Sequence, residues 1–135
     1  MTVTINAVTS TGLVQTSDGS GIIKLQSAGV TTNALAWVSF AGATGTKNAS
    51  YNVSSVTRNG VGDYTVNFTN ALADANYAMI GSVGDTSSSG SAVVLNSLYI
   101  ATTTSVRYGT GYISGTGGQA TSYDYTNNRV AIFGN

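Results

Sequence analysis

The chain has 135 residues, of which only 7% are charged, and its basic and acidic side chains cancel to a formal net charge of zero. Lys and Arg are scattered, so no basic patch indicates a nucleic acid or an anionic membrane as partner, and no apolar run is long enough to span a membrane. His, Cys and Glu are absent, which removes the commonest general bases, nucleophiles and transition-metal ligands, and we therefore predict a non-enzymatic domain without a cofactor or a metal.

The N-terminal part is predicted to form strands. Residues 2–8 alternate between apolar and polar side chains, and an Asp-Gly pair at Asp18 separates two further apolar runs, as in a β-hairpin. Residues 27–33 are predicted to be a loop. We treat residues 1–34 as a group of strands with a role in oligomerisation or attachment, and 35–135 as a β-sandwich tip domain, the two together forming one compact unit.

Residues 35–40 are predicted to be a strand with two apolar faces. Trp37 lies on one face, and Val38 and Phe40 lie on the other. Such a strand is expected to be covered on both sides, either between two sheets or between a sheet and a neighbouring subunit.

The central segment predicts a second hairpin and the seed of the core. Tyr64, Val66 and Phe68 alternate with polar residues, as in a half-buried strand, and a weaker strand precedes them. Asn59-Gly60 between the two runs is expected to supply the positive φ values of the turn, and Gly62 a bulge or a second turn position.

The remaining segments add strands and polar connections. Residues 70–75 are predicted to be a bend and 84–91 an exposed loop, while Gly109 and Gly111 mark a bulge or a close backbone approach. Further strands are predicted at 76–83, 92–100, 105–112 and 129–133.

These elements predict an all-β fold. Nine to ten short antiparallel strands, with regular turns, no helix pattern and no proline, are typical of a β-sandwich, which we expect to be jelly-roll-like. The predicted core includes Trp37, Phe40, Tyr64, Val66, Phe68 and Ile132.

Tyrosines flank the polar segment 114–128, which we predict to be a loop. Tyr rings stack on sugar rings, and Asp, Asn and Gln side chains bond to hydroxyl groups, so this segment is a candidate for contacting a cell-surface glycan or protein. A subunit interface is the equal alternative, because Tyr is enriched there for the same reasons. The candidate binding residues are Tyr112, Gln119, Tyr123, Asp124, Tyr125 and Asn127.

Aspartates are the only acidic residues available for catalysis. Asp63 and Asp74 fall in or beside predicted turns, where Asp bonds to local backbone groups. Two aspartates from distant strands could still meet as the carboxylate pair of a glycosidase, so a glycan-cleaving domain stays open as an alternative.

A set of short motifs in the last hundred residues carries a resemblance. The motifs are Ala-Trp-Val-Ser-Phe at 36–40, Ser-Tyr-Asn-Val-Ser-Ser-Val at 50–56, Gly-Asp-Tyr-Thr-Val-Asn-Phe at 62–68, Asp-Ala-Asn-Tyr at 74–77, Ser-Val at 105–106, Asp124, and Val-Ala-Ile-Phe-Gly at 130–134. They resemble the recurring pattern of C-terminal domains in phage tail-fibre and other virion structural proteins. The resemblance covers about residues 35 to 135 and implies an architecture and a virion context, not a catalytic site.

The resemblance implies a phage virion protein, made in the bacterial host cytoplasm, that acts as the tip of a tail fibre in host attachment. Its partners would be copies of itself, other virion proteins and a host cell-surface glycan or protein. A capsid or tail decoration protein and a tailspike-like glycan-cleaving domain are the alternatives. A homotrimer is expected, because the chain is nearly uncharged and lacks proline to block sheet edges, and because phage fibres are usually three-fold.

Overall fold

The computed structural model describes residues 26–27, 30–31, 33–85, 94–113 and 120–134, and this part of the chain contains strands and no helix. The strands are β1 (Gln26–Ser27), β2 (Val30–Thr31), β3 (Ala36–Phe40), β4 (Lys47–Tyr51), β5 (Val53–Gly60), β6 (Asp63–Phe68), β7 (Ala78–Gly84), β8 (Val94–Ala101), β9 (Ser105–Ile113), β10 (Ala120–Ser122) and β11 (Asn127–Phe133). Nine of them, β3 to β11, form two antiparallel sheets, and β1 pairs with β2. The prediction of an all-β fold is confirmed.

The four-stranded sheet has the order β4-β3-β11-β7. Its last strand in the sequence, β11, lies between β3 and β7, with Ala131 opposite Trp37 on one side and opposite Ile80 on the other. The pairing of β3 with β11 is therefore a long-range contact that closes the sheet.

The five-stranded sheet is built around β9. β8 pairs with residues 106–112 of β9, while β6 pairs with 105–109 and β10 with 111–113. Since a strand has two hydrogen-bonding edges, β6 and β10 share one edge of β9, and β8 occupies the other. The outer strands of this sheet are β5 and β8.

The two sheets share one core between their inner faces. Phe40 of the four-stranded sheet packs edge-on against Tyr64 and Tyr108 of the five-stranded sheet, with ring centroids 5.0 and 6.5 Å apart. Alternation places every second residue of β3, β6, β9 and β11 in this core, as expected for sandwich-like packing. Of the predicted core residues, those confirmed as buried are Phe40, Tyr64, Val66, Phe68 and Ile132.

The prediction that Trp37 belongs to the core is wrong, because 40% of this residue is exposed. Val38 and Phe40 take the inner face of β3, and the pleat turns Trp37 to the outer face. Both faces of the strand are apolar, so its sequence alone could not decide which face the five-stranded sheet would cover.

The turn of the central hairpin lies beyond the predicted Asn59-Gly60. Both of these residues belong to β5, and the turn is made by Val61 and Gly62. Gly62 has φ of 65°, and a Cβ there would overlap the carbonyl oxygen of Thr110. The close approach of β9 therefore selects glycine at position 62.

Two predicted loops are partly strands. Within 27–33, Val30–Thr31 pairs back onto Gln26–Ser27, and within 114–128, Ala120–Ser122 pairs with the end of β9. β11 also begins two residues earlier than predicted, at Asn127. Both segments were predicted to be loops because their side chains are polar. Strand pairing, however, uses backbone N–H and C=O groups, which every non-proline residue carries. Predictions for residues 1–25 lie outside the described residues.

Candidate functional site

Three of the predicted tyrosines meet at the end of the five-stranded sheet. The ring of Tyr112 contacts that of Tyr123, and the ring of Tyr123 contacts that of Tyr125. Both pairs are edge-on, with ring centroids 5.8 and 4.9 Å apart. β9 supplies the first ring, and the connection from β10 to β11 supplies the other two. We call these three residues the tyrosine cluster.

Exposure differs along the tyrosine cluster. Tyr123 is exposed and Tyr112 half-buried, whereas Tyr125 is buried and donates its hydroxyl to the carbonyl oxygen of Gly111 at 3.2 Å. The surface that the tyrosine cluster can offer to a partner is therefore made by two rings.

Asp85 fixes the outer end of the tyrosine cluster, and sequence reasoning missed it. The Tyr123 hydroxyl donates to Asp85 Oδ2 at 3.2 Å, and Thr126 Oγ1 donates to Asp85 Oδ1 at 2.6 Å. This hydrogen bond and the charge of Asp85 raise the pKa of Tyr123. Asp85 directly follows β7, and the pairing of β7 with β11 brings it to Thr126 although the two are far apart in sequence.

Asp124, another predicted binding residue, points into the protein. Its Oδ2 accepts from Arg58 Nε at 3.0 Å and Nη2 at 2.6 Å, and its Oδ1 accepts from the Gly62 amide at 2.8 Å and the Tyr64 hydroxyl at 2.6 Å. Both carboxylate oxygens are thus engaged by the β5–β6 hairpin.

These contacts set the charge state of Asp124. Burial alone would raise its pKa, but hydrogen bonds from Arg58, the Gly62 amide and Tyr64 outweigh burial and hold the pKa below its usual value. Burial and the same carboxylate raise the pKa of Tyr64 far above its usual value. Asp124 and Arg58 therefore form an ion pair in which both carboxylate oxygens accept hydrogen bonds from the hairpin.

Backbone contacts hold the rest of the segment in place. Thr110 Oγ1 donates to the carbonyl oxygen of Tyr123 at 2.8 Å, and the amide of Gly42 and Nδ2 of Asn128 both donate to the carbonyl oxygen of Tyr125, at 3.0 and 2.9 Å. Residues 123–125 therefore form a fixed connection between the sheets.

Of the remaining predicted site residues, Asn127 alone is described, and it is not part of the tyrosine cluster. Asn127 opens β11 opposite Gly84, and Gln119 lies outside the described residues. Their assignment to a binding site stays a prediction.

The outer face of the four-stranded sheet carries a second candidate surface. Tyr51, Trp37, Ala131 and Ile80 lie opposite one another across the four strands, and Trp37 and Ile80 are both exposed. A groove of about 420 Å³ runs between Trp37, Ile80 and Arg129. We call this surface the Trp37 face.

The outer face of the five-stranded sheet is polar over β5, β6 and β9. Arg107 donates to both oxygens of Asp63, at 3.0 and 2.6 Å, and this pairing lowers the pKa of Asp63. The side-chain amide of Asn59 donates to Asp63 Oδ1 and Thr65 Oγ1, so a network of side chains extends across β5, β6 and β9. Exposed apolar side chains of this sheet lie on its edge strand β8, at Leu98, Tyr99 and Ile100.

Comparison with protein-family models, with curated proteins and with solved structures found no match for this chain. Among the described residues, no helix is long and apolar enough to cross a membrane, and no three His, Cys, Asp or Glu side chains group as they would around a metal ion.

Proposed function

We propose that this chain is a phage virion structural protein, the tip domain of a tail fibre, which assembles as a homotrimer and takes part in attachment to the host cell. It works as a binding and assembly module and catalyses no reaction. Its partners are two copies of itself, other virion proteins and a glycan or protein on the host surface.

The Trp37 face is the observation that carries this proposal. Monomeric proteins rarely expose a contiguous apolar patch that crosses a whole sheet, and patches of this kind commonly mark association surfaces. Trp37 and Ile80 lie exposed on one rung across the strands, with Ala131 between them. A neighbouring subunit seated on this rung would cover the groove beside Trp37.

The contrast between the Trp37 face and the polar surface over β5, β6 and β9 supports an assembly with an inside and an outside. The Trp37 face is suited to the inside, and the Asp63–Arg107 network of the five-stranded sheet is suited to water. The three-fold order itself rests on the resemblance to phage fibres. The jelly-roll classification is supported by β11, which returns from the five-stranded sheet to lie beside β3.

The tyrosine cluster is the proposed receptor contact. Two of its rings, Tyr112 and Tyr123, are accessible at one end of the five-stranded sheet, where Asp85 and Asp124 hold the connection rigid. A rigid aromatic surface loses little conformational entropy on binding. A role in contacting a neighbouring subunit stays the alternative for these residues.

A decoration protein with a purely structural role is the second candidate function, and the Trp37 face fits it equally if the partner is another virion protein. A glycan-cleaving role is less well supported by the described carboxylates. Asp63, Asp74, Asp85 and Asp124 each accept a hydrogen bond from the protein itself.

Sedimentation equilibrium at micromolar concentration tests the assembly. The trimer has three times the chain mass of 13.7 kDa, about 41 kDa, and the variants Trp37→Ser and Ile80→Ser should shift the mass toward one chain. Val61→Ser, which removes an exposed apolar side chain at the β5–β6 turn, is the control and should leave the mass at three chains. A wild-type mass of one or two chains would remove the trimer.

Antibody-gold labelling of particles of the phage that encodes this chain tests the virion role. Label at the distal ends of the fibres is the expected result. Label spread over the capsid or along the tail would favour the decoration protein, and no label on intact particles, with no peptide of the chain in their mass spectra, would overturn the virion assignment.

A further inference from the structure

We propose that the groove of the Trp37 face receives the β6–β7 loop, residues 69–77, of a neighbouring copy of the chain, with Asp74 of that loop paired to Arg129. This inference rests on the assembly in the proposed function and names the part of the neighbouring subunit that fills the groove. The contact joins two different surfaces, and contacts of this kind close into a ring when the rotation between copies allows it.

The groove is a hollow over Ala131 of β11. Trp37 of β3 and Ile80 of β7 lie directly opposite Ala131, one on each side of it, and both side chains are exposed. A small residue between two large ones leaves a space of about 420 Å³. Since the centre of a protein interface is packed about as densely as a protein interior, the groove requires a partner that protrudes, such as a loop.

Arg129 provides a positive charge at one end of this groove. It lies two residues before Ala131 on β11, so both side chains point to the outer face, and Ser39 and Ser82 lie opposite it on the two neighbouring strands. Within the part of the chain that the structure describes, no hydrogen bond or ion pair engages the side chains of Arg129, Ser39 and Ser82. The guanidinium and the two hydroxyls are therefore free to bind a carboxylate.

The β6–β7 loop presents the complementary charge. Asp74 Oδ1 accepts from the amide of Asn76 at 2.7 Å, which orients the carboxylate, and no donor among the described residues bonds to Oδ2. Ala71 and Ala73, both exposed, precede Asp74 in the loop. The loop thus combines small apolar side chains with an anion, and the groove combines apolar walls with a cation.

Contacts within the chain hold this loop in shape. The side chain of Asn52 bonds to the amide and the carbonyl oxygen of Asn70, at 2.8 and 3.2 Å. The amide of Leu72 donates to the carbonyl oxygen of Thr103 at 2.8 Å, and the Leu72 side chain is buried in the core. A loop that is already fixed loses little conformational entropy when it binds.

The charged side chains of the described residues single out this pair. Two aspartates form ion pairs with arginines, Asp85 accepts from two hydroxyl groups, and Lys47 donates to two backbone carbonyl oxygens. Of the charges that the structure describes, Arg129 is then the cation without a partner, and Asp74 is the anion bound only by a backbone amide. A contact between two copies pairs them, in a chain whose net charge is zero.

Arg129 and Asp74 belong to different ends of the sheet within one chain. Arg129 is opposite Ser82, which lies about 13 Å along β7 from its first residue, Ala78, at roughly 3.3 Å per residue. Asp74 precedes β7 in the sequence, and the ion pairs of the described residues do not include it. The carboxylate of one copy and the guanidinium of another are therefore the groups that meet.

Sedimentation equilibrium of charge-reversed variants tests the pairing. The wild type is expected at three chains, and Arg129→Asp and Asp74→Arg should each weaken association by about tenfold or more, because each places like charges in contact. The double variant Arg129→Asp/Asp74→Arg restores opposite charges across the contact and should recover most of the lost association. Val61→Asp, which adds a charge at the exposed β5–β6 turn, is the control and should associate as the wild type does.

Single reversals that leave the mass at three chains, or a double variant that associates no better than the single variants, would overturn the pairing. The assembly in the proposed function would still stand if Trp37→Ser dissociates the same trimer, so the two failures are distinguishable. A wild-type mass of one or two chains would remove this contact together with the trimer. Circular dichroism shows whether each variant is folded before its mass is compared.

Discussion

Replacing Asp124 by Ala removes the acceptor that joins the β10–β11 connection to the central hairpin. The change leaves the Gly62 amide and the Tyr64 hydroxyl, both buried, without their partner. An unsatisfied buried donor costs about 1–3 kcal/mol, so two of them set a range of about 2–6 kcal/mol in the free energy of unfolding. Because the Asp124 side chain is 17% exposed, water can partly replace it, and we expect a loss of about 2–4 kcal/mol.

Asp63→Ala is the matched control for this change. Asp63 and Asp124 each pair with an Arg at the same two distances, 3.0 and 2.6 Å, although Arg107 bonds to both oxygens of Asp63 and Arg58 bonds only to Oδ2 of Asp124. The Asp63–Arg107 pair is more exposed, at 23% and 42%, and no buried donor depends on it. A pair of this kind contributes about 0–1 kcal/mol, so the two variants separate the buried donors from the ion pair.

Urea unfolding followed by circular dichroism measures both variants. With a slope of about 2 kcal/mol per molar urea, Asp124→Ala should lower the midpoint by about 1–2 M and Asp63→Ala by a few tenths. All samples are compared at one protein concentration, since association contributes to apparent stability. An equal loss in the two variants would show that the stabilisation comes from the ion pairs, and would refute the role given to the Gly62 and Tyr64 donors.

Two further predictions concern pH and the hairpin glycines. The folded-state pKa values of Asp63 and Asp124 are lowered, so these carboxylates stabilise the fold above the unfolded pKa of about 3.9, and their contribution is lost as pH falls from there through the folded-state pKa values. Urea midpoints measured between pH 7 and pH 2.5 should therefore drop in the wild type and drop less in the Asp124→Asn variant. Parallel curves for the two proteins would contradict this. Gly62→Ala should lower the free energy of unfolding by about 1–3 kcal/mol, because Gly62 has a positive φ and lies against Thr110. Gly60 has open space around it, so Gly60→Ala should change stability by less than about 0.5 kcal/mol. Thermal melts that rank the two glycines the other way would place the turn at Asn59-Gly60 instead.

Alternation made most of the core predictable. Tyr64, Val66 and Phe68 are separated by polar residues, so only one face of β6 could be buried, and the prediction is confirmed. The two faces of β3 do not differ in this way, because Trp37 is as apolar as Val38. Packing against the five-stranded sheet therefore determined which face of β3 is buried. Local pattern specifies burial where the two faces differ and leaves it open where they do not.

The candidate site was predictable in composition but not in geometry. The tyrosines around 114–128 do meet, but the partners of Asp124 in the hairpin are 60 or more residues away in sequence, and nothing local to Asp124 indicates Arg58 or Tyr64. Asp85 lies in a segment predicted to be a polar loop, and nothing near it in sequence indicates a site residue, because only the β7–β11 register brings it to Tyr123.

The position of β11 also governs the order in which the chain can fold during synthesis. β3 emerges from the ribosome about 90 residues before its central partner, a gap of about 5–20 s at ordinary rates of translation. Until β11 is made, the edge of β3, and later that of β7, has no β11 strand beside it, in a chain with little charge to repel other copies. The growing polypeptide is therefore the stage at which this sequence is most exposed to pairing with the wrong strand.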